Sequence, residues 1–396
     1  MNAFEWRAAG GLATVYAARM LGLFMILPVF ALFARDLADA TPVRVGLALG
    51  IYGLTQAVLQ IPFGVASDRL GRKPVIVAGL LLFAAGSVLA AVSRDLDWII
   101  VGRALQGSGA IAAASNALVA DLTREARRTQ AMLVIGIAIG ASFTGALILG
   151  PVLDAWIGVP GIFAVTAVLA LACIPLVWFV VPDPGPMPSR AHAGILRDLR
   201  TVLSSSQLLR LDLGVFILHA CLTAIFLAVP AALSDNAGLP SERHWQVYLP
   251  VMLASLALTL PLMYLGERRG HLKTVFVTAI AALAAASAVL VWAQATLAGL
   301  VAALLLFFGA FNLLEASMPS LLSRLCDARL RGAGMGAFSS SQFLGAFAGG
   351  FLGGIAQDRL GNAGVFAGAA ALCLLWLVFA AGLRPPVARV SAGGAD

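Results

Sequence analysis

Residues 64–74 read GVASDRLGRKP and bring together four charged side chains, Asp68, Arg69, Arg72 and Lys73. The flanking sequence is almost purely apolar: LALGIYGLTQAVLQIPF precedes this stretch and VIVAGLLLFAAGSVLAAV follows it. An apolar run of about 20 residues is long enough to cross a bilayer as a helix, which satisfies its own backbone hydrogen bonds there. The charged stretch is therefore predicted to be a loop between two membrane-spanning helices.

The composition of the whole chain excludes most soluble classes of protein. Hydrophobic residues make up 61% of its 396 residues and charged residues 11%, against roughly 25% charged residues in ordinary soluble domains. We predict an all-α integral membrane protein with 12 transmembrane helices. The predicted spans are 9–34, 44–66, 74–92, 98–120, 130–153, 160–181, 209–232, 245–265, 273–293, 297–322, 333–356 and 363–383.

The distribution of basic residues explains the net charge of +7. Nineteen of the 26 lysines and arginines fall in segments on the same side of the membrane as the N-terminus, and five fall on the other side. Because such residues concentrate in cytoplasmic segments, we expect both termini in the cytoplasm, with the chain in a bacterial inner membrane. This placement argues against a nucleic-acid partner.

A proline-rich stretch after the sixth span divides the chain into two halves. Residues 182–188 predict a stiff, non-helical linker. The apolar residues that follow predict a short amphipathic helix on the inner membrane surface; they are Ile195, Leu196, Leu199 and Val202. The predicted parts are an N-terminal six-helix bundle (1–182), a cytoplasmic linker (183–208) and a C-terminal six-helix bundle (209–396).

The two halves contain related sequences at equivalent places. Asp68-Arg69-Leu70-Gly71 follows the second span, and Glu267-Arg268-Arg269-Gly270 follows the eighth. Such repeats are typical of transporters built from two bundles that a pseudo-two-fold axis relates.

The charged loop resembles the signature of the major facilitator superfamily, G-x-x-x-D-R-x-G-R-K between its second and third helices. The matching residues are Gly64, Asp68, Arg69, Gly71, Arg72 and Lys73. The stretch GRALQGSGA at 102–110 resembles the R-x-x-Q-G motif of the superfamily's fourth helix through Arg103 and Gln106. In the fifth span, a glycine-rich pattern of drug:proton antiporters is matched in part, with Asp154 and Ala155 in place of its last glycines.

Longer stretches, including RMLGLFMILPV, IYGLTQAVLQIPFG and FNLLEASMPSLLS, resemble the YajR-like branch of the drug:proton antiporters. The best-known member of that branch carries a soluble domain after its twelfth helix. This chain ends at Asp396, soon after the last predicted span, and we expect it to lack that domain.

The resemblance implies the fold and the activity of a secondary transporter. We expect two bundles that rock about a central cavity and export small amphipathic compounds in exchange for protons. The expected partners are a small-molecule substrate, protons and the lipid bilayer, and the chain is expected to act as a monomer. Since the sequence has no GxxxxGK[ST] loop, we expect the proton gradient to supply the energy, without a cofactor.

The resemblance also implies a conformational latch at the charged loop. Gly64 and Asp68 share a face of the second helix, which in the family meets the start of the eleventh helix; that start reads RGAGMGAF here. Backbone N–H groups at a helix start favour a nearby carboxylate. Arg72 is expected to pair with Asp121 at the inner end of the fourth helix, as in family members. The plainer alternative, that these charges only set the orientation, does not explain Asp68 or the glycines.

Ionisable residues inside the spans form the second candidate site, because such residues are costly in a bilayer and are usually functional. The candidates for a substrate or proton cavity are Arg19, Arg103, Gln106, His219, Asn312 and Glu315. Their spans are the first, fourth, seventh and tenth, which line the cavity in this superfamily. Glu315 is expected either to bind the proton or the substrate, or to form a structural ion pair. His219 is a proton relay or a packing residue.

Two roles are open for Arg19: substrate binding, or an ion pair with an acidic side chain. Asp154 and Asp212 lie near the ends of their spans, where we expect solvation or local pairing. The four cysteines are scattered without metal-ligand spacing, so no metal site is expected.

Two other functions fit the sequence. Arg19 stands where cation exporters of the superfamily often carry a carboxylate, which leaves uptake or exchange of an anionic metabolite as an alternative. A non-transporting membrane sensor is the other. An enzyme is not expected, because the chain lacks HExxH, GxSxG and paired catalytic carboxylates.

Overall fold

The structure is a computed structural model that describes residues 1–184, 195–268, 271–327 and 329–383. Across these ranges the chain is predominantly helical and forms no strand. The α-helices are α1 (Ala3–Phe24), α2 (Leu27–Ala34), α3 (Pro42–Leu70), α4 (Arg72–Val92), α5 (Leu96–Ser108), α6 (Ala112–Leu122), α7 (Arg128–Pro175), α8 (Ile195–Leu203), α9 (Ser206–Ala231), α10 (Trp245–Arg268), α11 (Leu272–Ala293), α12 (Leu297–Leu325) and α13 (Arg331–Ala381).

Nine helical segments in the described part of the chain are long and apolar enough to cross a membrane. Two of them are much longer than a bilayer requires, and each contains one glycine with a positive φ: Gly158 (67°) in α7 and Gly361 (65°) in α13. Because residues with a side chain rarely adopt this conformation, glycine is needed where one helix ends and the next begins. Each long segment therefore corresponds to two predicted spans, which makes eleven. The fourth predicted span, formed by the shorter helices α5 and α6, is consistent with a twelfth.

Two other predicted spans are divided into pairs of helices. The first span separates into α1 and α2 just before Pro28, which lacks an N–H donor and is best accommodated in the first turn of a helix. The fourth span separates into α5 and α6 around Gly109, where a Cβ atom would lie 2.2 Å from the carbonyl oxygen of Gly79 in α4. This close approach requires a glycine.

The bundle has two ends, which we name by the segments they carry. The linker end carries residues 1–7, Gly71 and residues 182–184; the far end carries Gly158 and Gly361.

Tryptophan side chains are exposed near both ends and are rare between them. Trp6 and Trp178 lie near the linker end, and Trp98, Trp156 and Trp292 lie near the far end, each more than half exposed. Tryptophan is enriched at membrane–water interfaces. The two groups are therefore consistent with a bilayer between the two ends.

The C-terminal end of the last helix in each half is capped by an arginine from the first helix of that half. Arg7 in α1 donates from Nε to the carbonyl oxygen of Val180 at 2.7 Å. Arg210 in α9 donates from Nη1 to the carbonyl oxygen of Gly382. Cations stabilise helix C-termini because the last carbonyl groups carry partial negative charge.

A lysine from the third predicted span of each half, α4 or α11, completes the cap. Lys73 Nζ donates to the carbonyl oxygen of Trp178 at 3.3 Å, and Lys273 Nζ donates to that of Ala381 at 3.0 Å. Both halves thus repeat one capping arrangement, as expected for two bundles related by pseudo-two-fold symmetry.

The two halves contact each other closely near the far end. A Cβ atom on Gly46 of α3 would lie 2.1 Å from the carbonyl oxygen of Gly350 of α13, so only glycine allows the two backbones to approach this closely. Arg35 and Asp235 form an ion pair between the halves at 2.9 Å.

The halves separate toward the linker end. In mid-bundle, Gln60 Nε2 of α3 still donates to the carbonyl oxygen of Gly336 in α13 at 3.0 Å. Beyond this contact, a Cβ atom on Gly332 would have no neighbouring atom within 4 Å, and the same holds for Gly136 and Gly140 in α7. From this separation, and from the 40% exposure of the Glu315 side chain deep in α12, we infer a central cavity that opens at the linker end.

Helix α8 follows the linker and packs on the C-terminal half. Val202 is buried and Leu199 packs against the core of that half, so part of the apolar face of α8 contacts protein where we had expected membrane surface. Arg269 and Gly270 of the predicted repeat, and residues 185–194 and 384–396, lie outside the described residues.

Candidate functional site

Arg72 is the centre of the charged loop. Its Nη2 lies 2.5 Å from Asp68 Oδ1 and its Nε lies 3.1 Å from Asp121 Oδ2. Its Nη1 donates to Ser67 Oγ at 2.6 Å. Gly71, with φ of 93°, turns the chain between α3 and α4 and places Arg72 in the first turn of α4. The guanidinium therefore joins the ends of α3, α4 and α6.

Lys73 and Arg69, the other two basic residues of the charged loop, have different environments. Lys73 is buried and forms an ion pair with Asp183 at 2.7 Å, whereas Arg69 is exposed. The charged loop thus holds the N-terminal half together through Arg72 and Lys73.

Gly64 has a different neighbour from the one the sequence suggested. A Cβ atom on Gly64 would lie 3.2 Å from Ala113 Cβ of α6, so its small size serves packing within the N-terminal half. Gly332 and Gly336 at the start of α13 have open space beside them, and Gly334 faces Cys326. In this conformation the start of α13 does not pack on Gly64.

Arg103 is buried inside the N-terminal half and has several hydrogen-bond acceptors. Its guanidinium donates to the carbonyl oxygens of Ala48 and Leu49, and to Gln106 Oε1 at 2.8 Å. Gln106 Nε2 donates in turn to Ser87 Oγ at 2.7 Å. Arg103 and Gln106 therefore connect α3, α4 and α5.

Arg19 is also buried, at 1% exposure, but it lacks acceptors. Its Nη2 donates to Gln56 Oε1 at 2.6 Å, and its guanidinium carbon lies 5.4 Å from the ring centre of Phe83. Arg19 Nε and Nη1, Gln56 Nε2 and the Tyr52 hydroxyl have no hydrogen-bond partner among the described residues. The structure gives Arg19 no acidic partner in that part of the chain, and the unsatisfied groups around it are mainly donors.

His219 and Glu315 lie together in the C-terminal half, with Gln342 between them. His219 Nε2 is 3.8 Å from Glu315 Oε2. Gln342 Nε2 lies 2.8 Å from His219 Nε2 and 3.3 Å from Glu315 Oε1. The Glu315 side chain is 40% exposed although it lies deep in α12, because the cavity reaches it. Gln342 was not singled out from the sequence.

The surroundings of His219 fix its tautomer. Its Nδ1 lies 3.1 Å from the carbonyl oxygen of Val215, so Nδ1 carries a hydrogen. In the neutral ring, Nε2 is then an acceptor that faces Gln342 and Glu315. Nε2 is therefore the ring nitrogen directed toward the Glu315 carboxylate.

Asn312 lies one turn before Glu315 and joins two helices of the same half. Its Nδ2 donates to Ser255 Oγ of α10 at 3.0 Å.

An aromatic cluster closes the cavity toward the far end. Phe143 of α7 stacks on Phe311 of α12 with 6.0 Å between ring centres, and Phe24 packs edge-on against Phe143 at 4.9 Å. Phe311 also contacts the His219 ring at 5.9 Å. These rings join the two halves directly beside the titratable pair.

The environment of Asp212 is not the one expected from the sequence, which was contact with solvent or a local ion pair. Asp212 is only 4% exposed, and neither carboxyl oxygen has a hydrogen-bond partner in the described ranges.

Comparison with known proteins agrees with this architecture. The sequence model of the Major Facilitator Superfamily matches residues 12–256 and 211–396. The Inner membrane transport protein YajR of Escherichia coli is 45% identical over 387 residues, which cover 98% of this chain and 85% of the relative. The Multidrug resistance protein MdtH of Cronobacter sakazakii is 31% identical over 330 residues, which cover 80% and 78%.

A solved structure has the same fold. The crystal structure of a variant of the nucleoside transporter NupG has a TM-score of 0.75 at 13% identity, and the match covers 95% of this chain and 99% of that one. At this identity the likeness concerns the fold alone.

Proposed function

This chain belongs to the major facilitator superfamily of transporters, and on that premise we propose that it is a proton-coupled antiporter that exports small amphipathic compounds. The observation that carries the proposal is the Glu315–Gln342–His219 group at the bottom of a cavity open at the linker end. Titratable groups inside a membrane bundle mark proton and substrate pathways.

The geometry supports a simple exchange cycle. With the cavity open at the linker end, ionised Glu315 is available to a substrate that enters among the aromatic rings. After the halves rock, the cavity opens at the far end, where Glu315 gains a proton as the substrate leaves. His219 Nε2, 3.8 Å away, is the titratable group placed to exchange that proton.

The relatives support the substrate class and the location. MdtH bears the name of a multidrug resistance protein, and YajR that of an inner membrane transport protein. We therefore propose a bacterial inner membrane as the location. The basic residues favour the linker end in the cytoplasm, and we propose that the chain acts as a monomer.

The charged loop is proposed to act as the latch of the same cycle. When the linker end closes, the start of α13 approaches α3, and Asp68 meets its first N–H groups. Asp68→Asn is then expected to favour the conformation open at the linker end and to reduce transport while leaving membrane insertion intact.

The experiment that tests proton coupling uses proteoliposomes with a pH-sensitive dye inside. A library of amphipathic compounds is added, and substrate-triggered proton movement is recorded for the parent protein and for Glu315→Gln. We expect the variant to lose coupled proton movement. Glu125→Gln, the same change at an exposed residue of the linker end, is the matched control and should behave as the parent. Equal coupling by Glu315→Gln would refute the assigned role.

Exchange of an anionic compound is the second candidate, because the unsatisfied groups around Arg19 are mainly donors. If it holds, organic anions should drive counterflow in the same vesicles, and Arg19→Gln should abolish that counterflow. If cationic and neutral compounds alone are carried, this candidate fails.

A further inference from the structure

The two capped helix ends differ in one respect. In the N-terminal half, the capping lysine Lys73 also binds a carboxylate, Asp183, at 2.7 Å. In the C-terminal half, Arg210 and Lys273 donate to backbone carbonyls and have no carboxylate partner among the described residues. Asp183 thus offsets one of the two positive charges at the first cap, while both positive charges remain at the second.

A cleft of about 460 Å³ lies at the second cap. It is lined by Ser206, Gln207, Arg210, Lys273, Ala381 and Gly382. The residues lie at the linker ends of α9, α11 and α13, where the headgroups of one leaflet are expected. Both cations are partly exposed, so a ligand can reach them.

We propose that this cleft binds the phosphate headgroup of an anionic phospholipid. Arg210 and Lys273 each use one N–H group on a carbonyl oxygen and retain further donors. A guanidinium matches the oxygens of a phosphate with two donors, and an ammonium acts as a second point of charge. Basic pockets between transmembrane helices at the cytoplasmic side are known to take such headgroups.

The border of the cleft explains why a lipid is preferred to a free phosphate ion. On α13, one turn before the cap, Val378 and Phe379 are 71% and 42% exposed, and on α9 Leu209 is 42% exposed. These apolar side chains continue from the cations toward the middle of the bilayer. They offer the acyl chains a surface that free phosphate does not use.

The difference between the two caps suggests two informative variants. Ser206→Asp places a carboxylate in the cleft, as Asp183 does in the other half, and leaves both caps intact. Asp183→Asn removes the intramolecular carboxylate and should create a second, equivalent site at Lys73. Ser204→Asp introduces the same charge at an exposed position outside the cleft and serves as the control.

The test is native mass spectrometry of the full chain, purified in detergent and titrated with phosphatidylglycerol or phosphatidylcholine. We expect one phosphatidylglycerol molecule bound to the parent protein and to Ser204→Asp, about tenfold weaker binding to Ser206→Asp, and two molecules bound to Asp183→Asn. Phosphatidylcholine should bind at least tenfold more weakly to the parent.

Three results would overturn the proposal. One is equal binding of phosphatidylglycerol by the parent and Ser206→Asp. Another is equal retention of the two lipids by the parent. The third is protection of the parent against heat by inorganic phosphate alone to the same degree as by phosphatidylglycerol, which would make the cleft a site for a free anion.

Discussion

Gln342 holds the two titratable side chains of the cavity in one hydrogen-bonded group. Its amide contacts both His219 Nε2 and Glu315 Oε1. A hydrogen bond to a charged group contributes about 1.5–3 kcal/mol, and about 1.4 kcal/mol corresponds to a tenfold change in rate. The Gln342→Leu variant should therefore reduce coupled proton movement by roughly tenfold. Gln294→Leu, at the far end, is the control; equal loss in both variants would contradict a specific role for Gln342.

Asp212 should lower the stability of the folded protein, because both of its carboxyl oxygens are buried and unsatisfied. An unsatisfied buried polar group costs about 1–3 kcal/mol. We expect Asp212→Leu to raise the midpoint of thermal unfolding in detergent, and Asp36→Leu, at an exposed position, to leave it nearly unchanged. A lower midpoint for Asp212→Leu would mean that the folded protein uses this carboxyl.

At the residue scale, the sequence identified some of the site and missed the rest for a physical reason. His219 and Glu315 stand out because an ionisable group in an apolar run is costly. Gln342 and Gln56 carry no charge, and a glutamine in a helix gives no such signal. The burial of Asp212 depends on helices that are distant in the sequence and pack against α9 only in the folded bundle.

At the scale of helices, the contact between α3 and α13 keeps the far end closed. Gly350→Leu should force these helices apart near Gly46 and shift the protein toward the conformation open at the far end. Distances between spin labels on the two halves should lengthen at that end and shorten at the linker end. Gly368→Leu is the control, because Gly368 lies in the same long helix with open space beside it. Unchanged distances in Gly350→Leu would contradict the role of this contact.

Helix positions followed from hydrophobicity, whereas the points at which helices break did not. Apart from the first and fourth spans, which are divided, the predicted spans lie largely within helices, because apolar runs of bilayer length are easily identified. The break at Gly109 depends on the close approach of Gly79, which is a contact between elements and leaves no local pattern. The turns at Gly158 and Gly361 depend on a left-handed φ, and most glycines in this chain are simply helical.

At the scale of the whole molecule, the open linker end predicts which side of the membrane reaches the cavity. Single cysteines at Gly136 and Gly140 should react with a membrane-impermeant maleimide in inside-out vesicles and not in right-side-out vesicles. The four native cysteines are buried, so the parent protein should give little background. Substrate should lower the labelling as the halves rock. Labelling only in right-side-out vesicles would contradict the orientation or the conformation.

The sequence does not show which end of the bundle is open. Both conformations of a rocking transporter use the same helices and nearly the same interior contacts within each half. They differ in the contacts between halves, such as Gly46 with Gly350 and Arg35 with Asp235, which only the assembled bundle shows.

The single-glycine turns at Gly158 and Gly361 leave little polypeptide exposed on the far side of the membrane. Proteases and antibodies that approach from that side meet short connections, of which residues 236–244 are among the longest. An epitope tag for detecting the far end in right-side-out vesicles therefore belongs in residues 236–244, since an insertion at either glycine would separate two helices that meet at one residue.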